Sequence, residues 1–273
     1  MATANKHVVF DIVGESRAIN DKLLIPSRPQ RCKTSLAERM LVLGTCISFD
    51  NFHKALEARL GPKLNPIGIG ARCFGYAWAE AAEREYTYLS LSGSYKPVFQ
   101  VMRSIFYRTL GQVGVSEPRK LCSDEDVDFL LNAYRGLSAR EGLAECFSKL
   151  RNAGFTVWAF TAGDRQRVSN YLKQGGVEVP PENFVTCDDI GIGKPAPECY
   201  KYMLSKLDKE GLEAWFAAAH MWDVAAARRS GFIGAWVAAF EKEPCQDIFG
   251  DMDVMAETLP EMADGIIAAS AKK

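Results

Sequence analysis

The sequence lacks the features that mark membrane, zinc-binding and nucleic-acid-binding proteins. No apolar run approaches the roughly 20 residues that a membrane-spanning helix needs. The formal net charge of -1 provides no excess of basic residues for nucleic acid or anionic lipid. With three histidines and no Cys-x-x-Cys pair, the chain has no ligand set typical of structural zinc. We therefore expect a small-molecule partner, and neither a nucleic acid nor a membrane.

The composition indicates an ordinary globular chain. Its 273 residues are 48% hydrophobic and 25% charged, which suits one large domain or a core with an accessory domain. The eight cysteines are dispersed along the chain and indicate reduced thiols. Residues 1–7 are mostly polar and lead directly into an apolar run, so we expect no signal peptide and a cytoplasmic location.

Strand and helix patterns alternate through the second half of the chain. Continuous apolar runs predict buried strands at 155–160, 184–185, 215–219 and 233–238. Helical spacing of apolar residues predicts a helix at 138–152, with Ser138 as its cap. The same spacing predicts four later helices, at 165–173, 197–207, 224–230 and 253–268. This alternation with short turns predicts the α/β class, with a doubly wound parallel sheet.

The region between the first strand and this alternation has a helical pattern throughout. Helices are predicted at 52–59, 75–91, 97–110 and 124–134. Ser123 and Asp126 have the spacing of a capping box at the start of the last of these helices. The pattern predicts a mostly helical unit inserted after the first strand.

Four polar residues lie at or just beyond the ends of buried strands or in a stiff turn between α/β units. Asp11 ends the apolar run 8–10, and Thr161 ends the run 155–160. Asp223 follows the strand predicted at 215–219, and Lys194 lies in Gly-Ile-Gly-Lys-Pro-Ala-Pro. Because the carboxyl ends of parallel strands share one edge of the sheet, these four side chains are expected to converge there.

Asp, Thr, Lys-Pro and Asp in this order resemble the four motifs of the haloacid dehalogenase superfamily. The resemblance implies a Rossmann-like core whose inserted helical unit is a cap over the site. It also implies that Asp11 is the nucleophile and that Lys194 keeps its carboxylate ionised. Thr161 and the backbone amides that follow it, from Ala162 onward, are then expected to hold a substrate carboxylate or phosphate.

The fourth motif and the helix before it supply the remaining candidates. Asp223 is expected to fix the lysine ammonium or to orient water, and it could also cap the helix that follows. His220 is either a buried structural residue or a group that activates water. Tyr200 has the spacing from the motif lysine at which haloacid dehalogenases place a site tyrosine, although helix packing would also explain it. The residues assigned to substrate binding are Ala162, Tyr200 and Trp222.

One departure from the superfamily pattern selects a branch. Phosphatase members carry Asp-x-Asp, whose second carboxylate protonates the leaving group, and this chain has Val13 there. Such an acid is typically worth about 10²–10⁴-fold in rate. A halide leaves without a proton, so the chain resembles the type II 2-haloacid dehalogenases, which form an aspartyl ester without metal or cofactor. The alternatives are a Mg²⁺-dependent phosphatase using Asp11 and Asp223, and a degenerate binding protein.

The predicted pocket differs from that branch in two respects. The cap arginine that the branch uses for halide and carboxylate aligns with Ala79 or Glu80, and Arg72 and Arg84 are the candidates to replace it. The fourth motif also has Ala-Ala-His where the branch has Ser and Asn. The identity of the substrate therefore stays open, and a homodimer is an open alternative for the assembly.

Residues 15–44 interrupt a first motif that family members carry as a continuous Asp-x-x-Gly-Thr. Their removal joins Gly14 to Thr45. We assign 1–14 and 45–50 to the first strand and turn of the core, 51–136 to the cap and 137–273 to the rest of the core. Codons compatible with splice sites at both ends favour a retained intron, and the alternatives are a surface excursion or a flap at the site mouth. A spliced transcript that keeps these codons would exclude the intron.

Overall fold

The computed structural model describes residues 5–12, 45–207 and 212–272, so Val13 and the segment 15–44 lie outside the described residues. The strands are β1 (Lys6–Asp11), β2 (Ile47–Ser48), β3 (Ser138–Ala139), β4 (Thr156–Thr161), β5 (Phe184–Thr186), β6 (Glu213–Ala218), β7 (Ile233–Val237) and β8 (Val254–Ala256). The helices are α1 (Asp50–Leu64), α2 (Ala71–Leu91), α3 (Val98–Gln112), α4 (Pro118–Leu121), α5 (Asp124–Tyr134), α6 (Leu143–Asn152), α7 (Arg165–Gln174), α8 (Cys187–Ile190), α9 (Pro197–Lys206), α10 (Met221–Arg229), α11 (Gln246–Phe249) and α12 (Leu259–Ser270). None of the helices in these ranges has the length and apolar character needed to cross a membrane.

Six of the strands form one parallel sheet in the order β5-β4-β1-β6-β7-β8, which confirms the predicted α/β core. β1 lies inside the sheet, with Val8 opposite Val157 of β4 on one side and Trp215 of β6 on the other. The chain changes sides of β1 between β5 and β6. In such sheets, ligands bind beyond the carboxyl ends of the strands where the strand order reverses. Asp11, the last residue of β1, lies at that point.

Helices cover both faces of the sheet, because alternate residues of each strand point to opposite sides. Val8 and Phe10 belong to the apolar cluster that includes residues of α6 and α12. Val9 belongs to a second cluster on the other face, with residues of α9 and α10. This two-sided burial explains why the strands are continuous apolar runs in the sequence.

The predicted helical unit is present as α1 to α5, and α2 packs against both α1 and α3. Trp78 of α2 is fully buried, and its indole N–H donates to the carbonyl of Met102 in α3 over 2.9 Å. α1 and α2 approach so closely that a Cβ on Gly75 would lie 2.2 Å from a methyl carbon of Leu56. The apolar interior of the helical unit is continuous with the cluster that contains Val8 and Phe10.

The chain enters and leaves the helical unit through a pair of short strands. β2 and β3 are antiparallel, with Ile47 opposite Ala139 and Ser48 opposite Ser138. The prediction that Ser138 caps a helix is therefore wrong. α6 begins at Leu143 after Gly142, which has a left-handed backbone with φ 78°. Pairing with β2 keeps residues 138–139 extended, and the turn at Gly142 then starts the helix.

Tertiary interactions also move other predicted boundaries. The segment predicted as one helix at 253–268 begins with β8, and the helix that follows starts at Leu259 with Thr258 as its cap.

The capping box of Ser123 and Asp126 is confirmed. Asp126 also accepts from Arg59 and Lys63 of α1, at 2.6 and 2.5 Å. These ion pairs, one helical turn apart, explain why α1 continues beyond the predicted end at residue 59.

Candidate active site

A buried lysine joins two buried carboxylates at the carboxyl edge of the sheet. Lys194 Nζ lies 3.0 Å from Asp11 Oδ1 and 3.0 Å from Asp223 Oδ2, and it also donates to the carbonyl of Phe160 over 3.4 Å. The three charged side chains are at most 4% exposed. Asp11 ends β1, Lys194 lies in the loop before α9, and Asp223 lies in the first turn of α10. The structure thus brings together three of the four predicted motif residues in direct contact.

The close packing of these charges alters the pKa values of two of them. Burial lowers the pKa of the Lys194 ammonium, but the negative charges of Asp11 and Asp223 outweigh it and leave the pKa above its usual value. Burial raises the pKa of the Asp223 carboxyl to about 6, although Lys194 opposes this change. Lys194 is therefore a permanent cation, and Asp223 can gain or lose a proton near neutral pH.

Tyr200 and Asp223 form a short hydrogen bond behind the lysine. The Tyr200 hydroxyl donates to Asp223 Oδ1 over 2.5 Å, and burial raises the pKa of that hydroxyl well above its usual value. Tyr200 is fully buried and belongs to the apolar cluster with α9 and α10. The expected proximity of Tyr200 to the site is present, but the tyrosine contacts Asp223 and does not line the cavity described below. The prediction that it binds substrate stays a prediction.

Thr45 orients the second oxygen of Asp11. Its hydroxyl donates to Asp11 Oδ2 over 3.1 Å and accepts from the backbone N–H of Ala219 over 2.8 Å. The carbonyl of Thr45 in turn accepts from Arg140 Nε over 3.0 Å. Thr45 was not among the predicted site residues, although the sequence contained its signal. It is the threonine that completes Asp-x-x-Gly-Thr when 15–44 is removed, and it reaches Asp11 across that interruption.

Thr161 shapes the turn between β4 and α7. Its fully buried hydroxyl accepts from the backbone N–H of Gly163 over 2.9 Å. The cap of α7 is Asp164, whose carboxylate accepts from the N–H of Arg167 over 2.8 Å. Ala162 and Gly163, which follow Thr161, lie at the cavity surface.

A cavity lies between the sheet edge and the helical unit. The core contributes Asp11, Ala162, Gly163, Arg167, Lys194 and Trp222 to its lining, and the helical unit contributes Glu83, Tyr86, Val98 and Tyr134. Trp222 and Ala162 thus have positions that suit the predicted contact with substrate. Of the lining residues from the helical unit, none was predicted as a site residue, since inward-facing helical residues look like core residues in the sequence.

The arginines proposed to replace the missing cap arginine lie elsewhere. Arg84 is half-exposed and 3.5 Å from Glu85, and Arg72 is likewise not part of the cavity lining. Arg167, in the first turn of α7, is the arginine that lines the cavity. It had no signal in the sequence, because the stretch Arg-Gln-Arg at the start of a helix is typical of a solvated face.

Asp223 differs from its expected position at the helix terminus, and His220 is buried. α10 begins at Met221, so Asp223 lies inside the first turn and the alternative that it caps the helix is wrong. His220 is fully buried against Trp222 and Phe240, and neither ring nitrogen has a hydrogen-bond partner within the described residues. Burial, with smaller contributions from nearby cations, lowers the pKa of His220 to about 3. The imidazole is therefore neutral at physiological pH.

A divalent metal does not fit the carboxylates in this arrangement. Lys194 occupies the position between Asp11 and Asp223 that a bridging cation would need. The other carboxylate oxygens accept from Thr45 and Tyr200. Across residues 5–12, 45–207 and 212–272, no group of three or more His, Cys, Asp or Glu side chains could hold a metal ion.

We expect the hydroxyl of Thr45 to matter more for stability than its methyl group. Thr45→Val leaves the buried N–H of Ala219 without an acceptor, and this should lower the free energy of unfolding by about 1–3 kcal/mol. Thr45→Ser keeps the hydroxyl and loses one methyl group, at about 0.8 kcal/mol. Urea unfolding of the two variants and the parent chain measures the difference. A valine variant as stable as the parent would contradict this role.

Comparison with known proteins agrees with this geometry. The model of the haloacid dehalogenase-like hydrolases matches residues 67–231. (S)-2-haloacid dehalogenase 4A of Burkholderia cepacia is 25% identical over 193 residues, covering 70% of this chain and 80% of that protein. (S)-2-haloacid dehalogenase 1 of Pseudomonas sp. (strain CBS-3) is 28% identical over 187 residues, covering 67% and 80%.

Solved structures show the same fold. The structure of L-2-haloacid dehalogenase from Xanthobacter autotrophicus superposes with a TM-score of 0.66 at 17% identity, covering 96% of this chain and 98% of that one. At this identity the likeness concerns the fold. The family match spans more than half of the sequence and includes the predicted threonine, lysine and second aspartate motifs. The chain therefore belongs to the haloacid dehalogenase-like hydrolases.

Proposed function

We propose that this hydrolase is a metal-independent dehalogenase of 2-haloacids in which Asp11 is the nucleophile. The observation that carries the proposal is the environment of Asp11. Its carboxylate is 1% exposed, lines the cavity, and has one oxygen oriented by Lys194 and the other by Thr45. A carboxylate that is held in place by an ammonium and a hydroxyl, with few rotational alternatives, suits in-line displacement at carbon. The (S)-2-haloacid dehalogenases among its relatives supply the substrate class.

In the first step, a carboxylate oxygen of Asp11 attacks C2 of the substrate from the side opposite the halogen. The new C–O bond forms as the carbon–halogen bond breaks, and the halide leaves with the bonding electrons. No proton is transferred, so this step needs no acid at position 13, which lies outside the described residues. The product of the step is an ester between Asp11 and C2.

In the second step, water attacks the carbonyl carbon of the Asp11 ester. Asp223, with a pKa of about 6, is ionised at neutral pH and can accept the proton of that water. The Lys194 ammonium, 3.0 Å from an oxygen of Asp11, can stabilise the oxyanion that forms. His220 is a weaker candidate for the base, since its pKa of about 3 makes it a poor proton acceptor. The bond between the carbonyl carbon and the C2 oxygen then breaks, and that oxygen takes up the proton from Asp223 and leaves as the hydroxyl of a 2-hydroxyacid. The carboxyl of Asp11 releases its remaining proton to solvent and is restored as a carboxylate.

The nucleophile can be tested by single-turnover reaction in heavy-oxygen water. With enzyme in excess over (S)-2-chloropropionate, we expect one heavy oxygen atom in the tryptic peptide that contains Asp11, because water attacks the ester at the aspartyl carbonyl. The peptide that contains Asp223 serves as the internal control and should stay unlabelled. Asp11→Asn should fold normally and release no halide.

The opposite labelling pattern would contradict the assignment. If the heavy oxygen appears in the hydroxyacid during the first turnover and not in the protein, water attacks C2 directly. Asp11 would then not form an ester.

The pH dependence of turnover tests the role of Asp223. If Asp223 must be ionised to accept a proton, kcat should fall with the ionised fraction as the pH drops below about 6. Burial raises this pKa, and the hydrogen bond from Tyr200 acts in the opposite direction. Tyr200→Phe removes that bond, so the acid limb should move to higher pH, by about one pH unit for a hydrogen bond to a charged group.

Tyr202→Phe is the matched control for this experiment. Tyr202 lies on the same helix, α9, and does not touch the carboxylates. Its replacement should leave the pH profile unchanged. An unshifted profile in Tyr200→Phe would show that the acid limb belongs to a different group.

Chelation separates this proposal from a magnesium-dependent phosphatase. Because Lys194 occupies the space between the carboxylates, we expect halide release to be the same in excess EDTA and after dialysis into metal-free buffer. The comparison assay is release of phosphate from an aryl phosphate with added Mg²⁺. Loss of halide release in EDTA, with Mg²⁺-dependent phosphatase activity, would replace the dehalogenase proposal with the phosphatase alternative.

A further inference from the structure

Arg167 is a buried cation that has no carboxylate partner among the described residues. Its side chain lines the same cavity as Asp11, and the residue is 8% exposed. Within the described ranges it forms no ion pair, and its Nε has no hydrogen-bond partner. By contrast, Arg165 on the same helix is more exposed and pairs with Asp189 at 2.5 Å. Burying an unpaired charge is costly, so a guanidinium held in this way indicates an anion that completes the site.

Aromatic rings fix the orientation of the guanidinium. Its central carbon lies 4.5 Å from the ring centroid of Phe99 and 5.6 Å from that of Tyr171. Nη1 donates to the Tyr171 hydroxyl over 3.4 Å, and that hydroxyl donates to the carbonyl of Tyr134 over 2.8 Å. The Nη1 side of the group is thus engaged, while the edge formed by Nε and Nη2 forms no hydrogen bond within the described part of the chain.

The free edge lies beside Gly163. A Cβ at this position would be 2.6 Å from Arg167 Nη2, so any other residue would displace the guanidinium. Gly163 belongs to the turn after β4 and itself lines the cavity. The glycine therefore allows Arg167 to approach the cavity wall close to the predicted substrate-binding turn.

The charges around the cavity require a second cation if the substrate is an anion. Asp11 and Glu83 are the acidic residues of the lining, and Lys194 and Arg167 are the basic ones. Lys194 is already 3.0 Å from each of two carboxylates. Without Arg167, an anionic substrate would meet an excess of negative charge beside the nucleophile.

We propose that the Nε–Nη2 edge of Arg167 binds the carboxylate of the substrate and makes the enzyme selective for anionic substrates. The two parallel N–H groups of this edge match the two oxygens of a carboxylate. A halide ion is a single acceptor and matches the pair of N–H groups less well. The assignment rests on the proposed function, which identifies the carbon–halogen bond of the substrate as the bond that reacts. The binding of an anion at Arg167 can be tested separately from turnover.

The test measures equilibrium binding of the 2-hydroxyacid product of 2-chloropropionate and of a neutral analogue of the same shape. Calorimetric titration with lactate, which carries a carboxylate, is compared with titration with lactamide, which is neutral. The variants are Arg167→Met, which removes the charge, and Arg167→Lys, which keeps the charge without the fork. Lys173→Met is the matched control, because it removes one positive charge from an exposed position of the same helix.

We expect the parent chain to bind lactate more tightly than lactamide. Arg167→Met should weaken lactate binding by roughly 10- to 100-fold, the usual worth of hydrogen bonds to a charged group, and leave lactamide binding unchanged. The affinity of Arg167→Lys for lactate should lie between those of the parent chain and Arg167→Met. The affinity of Lys173→Met should match that of the parent. The same preference should appear in turnover, with 2-chloropropionate losing kcat/KM in Arg167→Met and 2-chloropropionamide keeping it.

Three results would overturn the assignment. If Arg167→Met weakens the binding of lactate and of lactamide equally, Arg167 only supports the packing of Phe99 and the helical unit. In a third titration, with sodium bromide, a loss of bromide binding in Arg167→Met with unchanged lactate binding would assign the arginine to the leaving halide. A parent chain without preference for lactate over lactamide would exclude a carboxylate site. If lactate binding follows the expectation and no halide is released, the proposed function fails while the anion site stands.

Discussion

The contact of one ammonium with two buried carboxylates is the constraint on which the site depends. Lys194, Asp11 and Asp223 come from three distant parts of the chain, and each is almost completely buried. Removing one partner of a buried charge cluster leaves an uncompensated charge, which typically costs about 3–5 kcal/mol. The cluster therefore joins the end of β1, the loop before α9 and the start of α10. The same attraction that keeps the lysine charged also keeps its partners close to it.

The two carboxylates of the site lie in different surroundings. Asp11 reaches the cavity and receives hydrogen bonds from an ammonium and a hydroxyl. Asp223 lies deeper and has a pKa near 6 because burial disfavours its charge. Two groups of the same chemical type thus lie in different environments, which is the usual basis for assigning different roles to paired acids. Lys194 contacts both carboxylates, so a change in the charge of one of them alters the electrostatic environment of the other.

Much of the core could be predicted from the sequence, since strands buried on both faces must be continuous apolar runs. β4, β6 and β7 follow that pattern, and Asp11 and Lys194 meet where strand order predicts. β8 was missed because it has three residues with only one buried, which resembles the start of an amphipathic helix. Thr45 and Arg167 were missed for another reason. Their roles depend on neighbours far away in the sequence, namely Asp11 across the interruption and Phe99 in the helical unit.

The central position of β1 has a consequence for the order in which the chain can fold. Val8 pairs with Val157 and Trp215, so β1 has no partner until the chain beyond those residues is available. The contacts of α1, α2, α3 and α5 are much more local, and local contacts generally form faster. During synthesis the helical unit can therefore become structured while the apolar β1 is still exposed to association with other chains. Asp11 is in the first strand, yet its environment is completed only when the region around Asp223 has been made.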